Sequence, residues 1–133
     1  MDAEMQIPMY KEGDADNVPT AVVSVFFMYG LANYHSEFLQ SLGIKSVEAS
    51  TVTDTFKQTV ARNVNFGDFM NELDVSTYYE YSGSLTQPPC TEGITWYVIP
   101  AIQNLSKKQM LDLKSMVGTN NRLIQDDNAR KVF

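Results

Sequence analysis

The side chains that most often carry metal or nucleophilic chemistry are scarce in this chain. Its 133 residues include one histidine, His35, and one cysteine, Cys90. A catalytic metal site of the tetrahedral kind draws on about three protein ligands and keeps a further position for water. One imidazole and one thiol, far apart in sequence, do not supply that set. His35 reads as a surface or helix-end residue. Cys90 follows Pro88 and Pro89 and reads as a small buried hydrophobe; a single cysteine excludes an internal disulfide. Distinctive residue types instead concentrate in residues 78–100, YYEYSGSLTQPPCTEGITWYVIP. Aromatics, a glycine, hydroxyls, two adjacent prolines and Cys90 fall there within one strand–turn–strand. The adjacent prolines set backbone angles whether or not chemistry occurs.

The elements that position this stretch follow from composition and periodicity. Hydrophobic residues make up 44% and charged residues 20%, a globular composition of single-domain length. The formal net charge is −6, and no basic face is evident, so the sequence points away from nucleic acid. Lys107, Lys108 and Lys114 read as a solvated helix face. No apolar run approaches the roughly 18 residues of a membrane span. Met1-Asp2-Ala3-Glu4 is acidic and polar and carries no signal-peptide pattern.

Residues 1–19 are mixed and polar, with Gly13, Asp14, Asp16, Asn17 and Pro19 marking a loop. Thr20–Met28, TAVVSVFFM, is apolar on both alternating positions, as in a central strand covered on both faces. Asn33 is placed to cap a helix running to about Leu42, with Gly43 after its end. Residues 45–63 read either as a second amphipathic helix through Val52, Phe56, Val60 and Ala61 or as an insertion. Asp68–Leu73 reads as a helical turn. Tyr78–Tyr81 and Ile94–Ile99 read as strands around a loop from Ser82 to Gly93. Ser106 and Gln109 form a capping-box pattern, with Leu105 and Met110 at the staple positions and Gly118 as the stop. Three strands this apolar need neighbours, and few candidates are present, so an open sheet edge is expected.

Residues 78–100 closely resemble the C-terminal signature of the α-class carbonic anhydrases, which reads Tyr-x-Tyr-x-Gly-Ser-Leu-Thr-x-Pro-Pro-Cys-x-Glu followed by a Trp in a strand. AVVSVFFMYG resembles that family's central strand. IPAIQNLSKKQM resembles the segment that opens its Ile-Ser-x-x-Gln helix, and NNRLIQDDNARKV resembles its tail. The resemblance runs from about residue 3 to 132 but corresponds to the second half of the family's domain. It implies a mixed α/β (α+β) architecture over residues 1–133: a partial carbonic-anhydrase-type fold, with a mainly antiparallel central sheet, peripheral helices and the front half missing. Thr20–Met28 and Ile94–Ile99 are then expected as interior strands.

The resemblance also implies where the chemistry should be. The missing half carries the family's His-x-His strand, which supplies two zinc ligands, and the Glu that orients the reactive hydroxyl. The family's third ligand belongs to Glu-x-His-x-Val-His, which AEMQIPMY matches from Ala3. Glu4 matches the Glu, Gln6 stands at the zinc-binding His, Pro8 replaces the Val, and Met9 replaces the second His. Thr86 matches the Thr that hydrogen-bonds zinc-bound hydroxide. Val22, Leu85, Ile94 and Trp96 match the hydrophobic wall. Gln87 takes a position usually Thr or His, and Pro88 follows it in the loop. The remnant pocket is thus expected from Val22, Leu85, Gln87, Pro88, Ile94 and Trp96, with Thr86 vestigial and no metal or other cofactor bound.

Two functions from different classes follow. One is a non-catalytic structural or interaction subunit whose open sheet edge is covered by other protein subunits; an organelle membrane complex is one assembly of that kind. The other is the C-terminal half of a zinc enzyme hydrating carbon dioxide, either split or longer than this sequence, with the remaining ligands on another chain or on an N-terminal extension of this one. A remnant anion- or small-molecule-binding module ranks behind both. In secreted family members the cysteine that matches Cys90 often pairs with one near the family's N-terminus; that partner is absent from this sequence, so Cys90 is either free or paired with a missing segment, and the family precedent favours an organelle lumen or a secretory or periplasmic compartment.

Overall fold

A computed structural model describes residues 2–13, 18–30, 36–43 and 64–133. Among these residues four strands form one sheet: β1 (Ala3–Met9), β2 (Ala21–Tyr29), β3 (Tyr79–Ser84) and β4 (Glu92–Leu105), in the order β1-β2-β4-β3. Among the described residues three helices accompany them: α1 (Glu37–Ser41), α2 (Phe66–Glu72) and α3 (Lys107–Val117). The β1/β2 and β3/β4 pairings are antiparallel, and β2/β4 is parallel. A parallel neighbour requires a crossover, and the chain between β2 and β4 contains α1, α2 and β3. β2 and β4 are the interior strands, as their two-sided apolar character predicts.

β1 corrects the expectation of a loop over residues 1–19. The reason is legible in hindsight. Ala3, Met5 and Ile7 alternate with Glu4, Gln6 and Pro8, the period of a strand with one face on a core. β4 runs well beyond the expected Ile94–Ile99. Pro100 lies where the β2/β4 register shifts, Val25 pairing with Ile99 and Phe27 with Gln103. A residue with no N–H is tolerated at such an irregularity, and the ladder resumes after it.

One face of the sheet is covered by helices. Val25, Phe27, Ile99 and Leu105 pack there with Leu39 of α1, Phe69 of α2 and Leu73, and Met5, Ile7, Met110 and Leu113 pack against them. Phe38 and Phe69 stack at 4.0 Å between ring centroids. The opposite face carries a smaller buried group, Val22, Ile94 and Trp96, flanked by Val18, Tyr81 and Leu85.

The helix ends follow local chemistry. Ser106 and Gln109 close a reciprocal capping box at the start of α3, and Gly118 ends it at φ 64°, a left-handed angle that glycine adopts without a Cβ clash. Ser36, not Asn33, caps α1, accepting from the Leu39 N–H. Asn33 and His35 lie outside the described residues, as does the expected element over residues 45–63. The helical turn expected at Asp68–Leu73 is α2, capped by Asn65.

Candidate functional site

The face opposite the helices brings together most of the side chains singled out in the sequence. Glu4 and Gln6 share it because they are two residues apart on β1. Register places Gln6 opposite Ser24 and Pro8 opposite Val22 on β2, Val22 opposite Trp96 on β4, and Trp96 opposite Tyr81 on β3. The loop after β3 then folds back toward β1. There the Thr86 Oγ1 hydroxyl donates to the Gln6 Oε1 amide oxygen at 2.8 Å, joining residues 80 positions apart. Beside this pair the Ser24 Oγ donates to the Glu4 carboxylate at 2.6 Å. Ser24 is fully buried.

The loop that presents Thr86 is fastened at several points. The Leu85 N–H donates to the Thr91 carbonyl and the Cys90 N–H to the Gln87 carbonyl. The Trp96 indole N–H donates to the Ser84 carbonyl. Arg122, from the segment after α3, donates through Nη1 to the Ser84 hydroxyl at 2.8 Å and to the Leu85 carbonyl at 3.2 Å. Arg130, farther along that segment, donates to the Ser82 carbonyl and lies 6.0 Å from the centre of the Tyr81 ring. Tyr81 and Trp96 rings stack nearly parallel, 7° apart. Gly83 leaves room for them: a Cβ there would lie 3.0 Å from the Tyr81 ring and 3.1 Å from the Trp96 ring. Burial raises the Tyr81 phenol above its ordinary pKa, the Glu4 charge adds to that, and Arg130 opposes it.

Each predicted site residue therefore has a definite place. Gln6 and Thr86 are in contact. Gln87 is exposed and lines, with Glu4, Gln6, Thr86 and Arg122, a cavity of about 640 Å³ that also reaches Met5, Phe27 and α3. Val22, Ile94 and Trp96 are buried against one another, with Leu85 beside them, rather than lining that cavity. Pro88 is exposed on the loop. Sequence reasoning did not single out Ser24 or Arg122 as site residues. Ser24 is the one polar residue in the run AVVSVFFM, a signal that was available; Arg122 gave none beyond its place in the tail.

Chemically, the arrangement is a set of closed donor–acceptor pairs. Among the described residues no three His, Cys, Asp or Glu side chains come together as a metal group would require.

Comparison with known proteins is consistent across sequence and structure. A family model described as eukaryotic-type carbonic anhydrase matches residues 1–133. The chain is 37% identical over 117 residues to a dioscorin of Dioscorea polystachya, covering 85% of this chain and 41% of that protein. It is 37% identical over 110 residues to carbonic anhydrase 6 of Mus musculus, covering 80% of this chain and 32% of the mouse protein. The solved structure of dioscorin complexed with ascorbate superposes with a TM-score of 0.72 at 34% identity, over 98% of this chain and 52% of that one. The chain thus spans less than half the length of these two curated relatives.

Proposed function

The chain belongs to the eukaryotic-type carbonic anhydrase family, and we propose that within it this chain is a non-catalytic interaction subunit, a family fold used for its surface. The observation that carries this reading is the Gln6–Thr86 hydrogen bond. By the family pattern, position 6 is where a zinc-binding imidazole stands. Here it holds a neutral amide, and the oxygen that could face a metal already accepts the Thr86 hydroxyl. The neighbouring carboxylate, Glu4, is held by Ser24. These residues do not fit a zinc ion. A metal needs anionic or imidazole donors with free lone pairs aimed at one point. The Thr86 hydroxyl, which the resemblance assigns to orienting a metal-bound hydroxide, is spent on a side-chain amide instead.

The proposed partners are protein subunits. β1 is an outer strand of the sheet and pairs only with β2 among the described residues. Unpaired backbone along an outer strand accepts a strand from another chain. The segment carrying Glu4 and Gln6 would then lie at an interface rather than at the base of an open cleft.

The test is metal content and carbon dioxide hydration of the purified chain, alone and with whatever co-purifies under native conditions. Zinc far below one equivalent and hydration at the buffer rate are expected in both preparations. Stoichiometric zinc with activity in the isolated chain overturns the reading. The relatives are more than twice as long as the part matched, which favours one alternative: this sequence is the C-terminal half of an enzyme completed by a second polypeptide or by further residues of its own chain. Zinc and activity that appear only when a His-x-His strand is supplied, by a partner or by a longer form of the chain, would establish it.

A further inference from the structure

The two outer strands of the sheet are finished differently. Along β3 the chain's own tail takes the edge. Phe133 and Glu80 exchange backbone hydrogen bonds at 2.8 and 2.9 Å, and Arg130 donates to the Ser82 carbonyl. Along β1 no strand lies on the outer side among the described residues. Alternate N–H and C=O groups of such a strand point away from the sheet and form a template for another segment.

The surroundings of β1 narrow the kind of segment that fits. The cavity of about 640 Å³ is lined along β1 by residues 2–6 and stops short of Pro8, which brings no N–H to a ladder. Its two sides differ in chemistry. On the helix side it reaches Met5, Leu42, Met110 and Leu113, which pack against the core but are only partly buried. On the other side it reaches Gln6, Thr86, Gln87 and Arg122. Successive side chains of an extended segment point to opposite faces. A segment paired with β1 therefore sends every second side chain to the apolar side and the others to the polar side. With β1 flanked on both sides, the groove has room for one extended segment. A second copy of the chain would bring the same flanks and a further charge of −6, and like charge opposes association.

Charge adds a further requirement. Asp2, Glu4, Lys114 and Arg122 line the cavity. Asp2 accepts the Tyr29 N–H, Glu4 accepts the Ser24 hydroxyl, and Arg122 donates to Ser84 and Leu85. Lys114, exposed on α3, has no hydrogen bond or ion pair among the described residues. The charge left for a ligand to meet is a cation.

We propose that the groove along residues 2–6 docks one extended segment of a partner protein, apolar at alternate positions and carrying a carboxylate that pairs with Lys114. This rests on reading β1 as a partner interface. Zinc and hydration in the isolated chain would overturn the non-catalytic reading, whereas the experiment below reads the groove alone.

The experiment titrates the chain into fluorescein-labelled synthetic peptides and follows anisotropy. The first peptide alternates valine and threonine, with one threonine replaced by glutamate. The second has the same residues with the valines in one block, and the third carries lysine in place of the glutamate. The alternating acidic peptide is expected to bind, and the block peptide at least about tenfold more weakly. The lysine peptide is expected to bind about two- to fivefold more weakly, the range of a surface ion pair, and Lys114→Ala is expected to erase that difference. Val117 lines the cavity and is exposed, so Val117→Asp is expected to weaken binding without disturbing the core. Hydrogen exchange with the bound peptide is expected to slow at alternate amides of residues 3–6 and to stay unchanged at Glu80, whose N–H is already bonded to Phe133. Equal binding of the alternating and block peptides overturns the proposal, as does no binding of either. Slowing at Glu80 rather than along β1 also overturns it. So does slow exchange along β1 without peptide, whether on raising the protein concentration, which assigns the edge to a second copy, or in a longer form of the chain, which assigns it to the chain's own residues.

Discussion

The two faces of the sheet are held together by different physics. On the helix side, Val25, Phe27, Ile99 and Leu105 meet Leu39, Phe69 and Leu73 in one continuous apolar group. On the site side, Val22, Ile94 and Trp96 form a smaller group, and beyond it the contacts are single directional bonds: Thr86 to Gln6, Ser24 to Glu4, and Arg122 to Ser84 and Leu85. Apolar burial scales with area and is shared among many neighbours. A hydrogen bond is worth about 1 kcal/mol net and is lost whole when one partner goes. The helix side should therefore decide whether the chain folds, and the site side should decide how the loop after β3 is held once it has folded.

The sharpest way to break that contrast is to empty the helix side. Phe69 is buried and stacked on Phe38. Phe69→Ala is expected to cost about 3–5 kcal/mol, from lost burial and the cavity left behind. Chemical denaturation should show the loss as a lower midpoint, with tyrosine and tryptophan signals still moving together. If only the signals near α2 moved, the helix side would not be one cooperative unit.

A smaller effect is expected from Arg122→Ala, which removes the two bonds to the loop. The expected cost is about 1–3 kcal/mol, the range for bonds from a charged donor. Its signature should be local. Hydrogen exchange should quicken at the Leu85 and Cys90 amides, which are bonded within the loop, while protection in β2 and α3 stays. Equal loss of protection on both faces would mean that the site side is as cooperative as the helix side.

How much of this was legible depended on whether the cause was local. The α3 start was readable because Ser106 and Gln109 sit three residues apart and cap each other. The sequence did not show that Gln109 also reaches across the fold, accepting the Ser36 N–H through Oε1 and donating to the Ser36 carbonyl through Nε2, because that partner is 73 positions away. Gln6 and Thr86 were named from the family pattern as residues of one site, but the bond between them follows from the way the loop folds back over β1. β1 itself was missed because a short outer strand containing a proline and two polar residues reads locally as loop. Its alternation counts only once a core is known to lie on one side. The parallel β2/β4 pairing was invisible for the same reason: nothing in either strand encodes the direction of a neighbour reached through a long crossover.

The smallest expected effect tests whether Glu4 and Tyr81 belong to one electrostatic environment across the site face. The Tyr81 phenol is raised above its ordinary value of 10.0, by burial first and then by the charge of Glu4, against the opposing charge of Arg130. A raised folded value means that the folded state holds its proton to higher pH than the unfolded state. The resulting stabilisation is complete below about pH 10 and is lost as pH rises through the folded value. Melting temperatures followed from neutral to alkaline pH should fall more steeply in the native chain than in Tyr81→Phe, which has no proton to lose there. Glu4→Gln removes the charge but leaves the burial, so its phenolate absorbance should appear at slightly lower pH than in the native chain. If Glu4→Gln left the phenol titration where it was, Glu4 would be held by Ser24 without reaching the Tyr81 side of the sheet, and the site face would be two separate polar pairs on one strand rather than a connected surface.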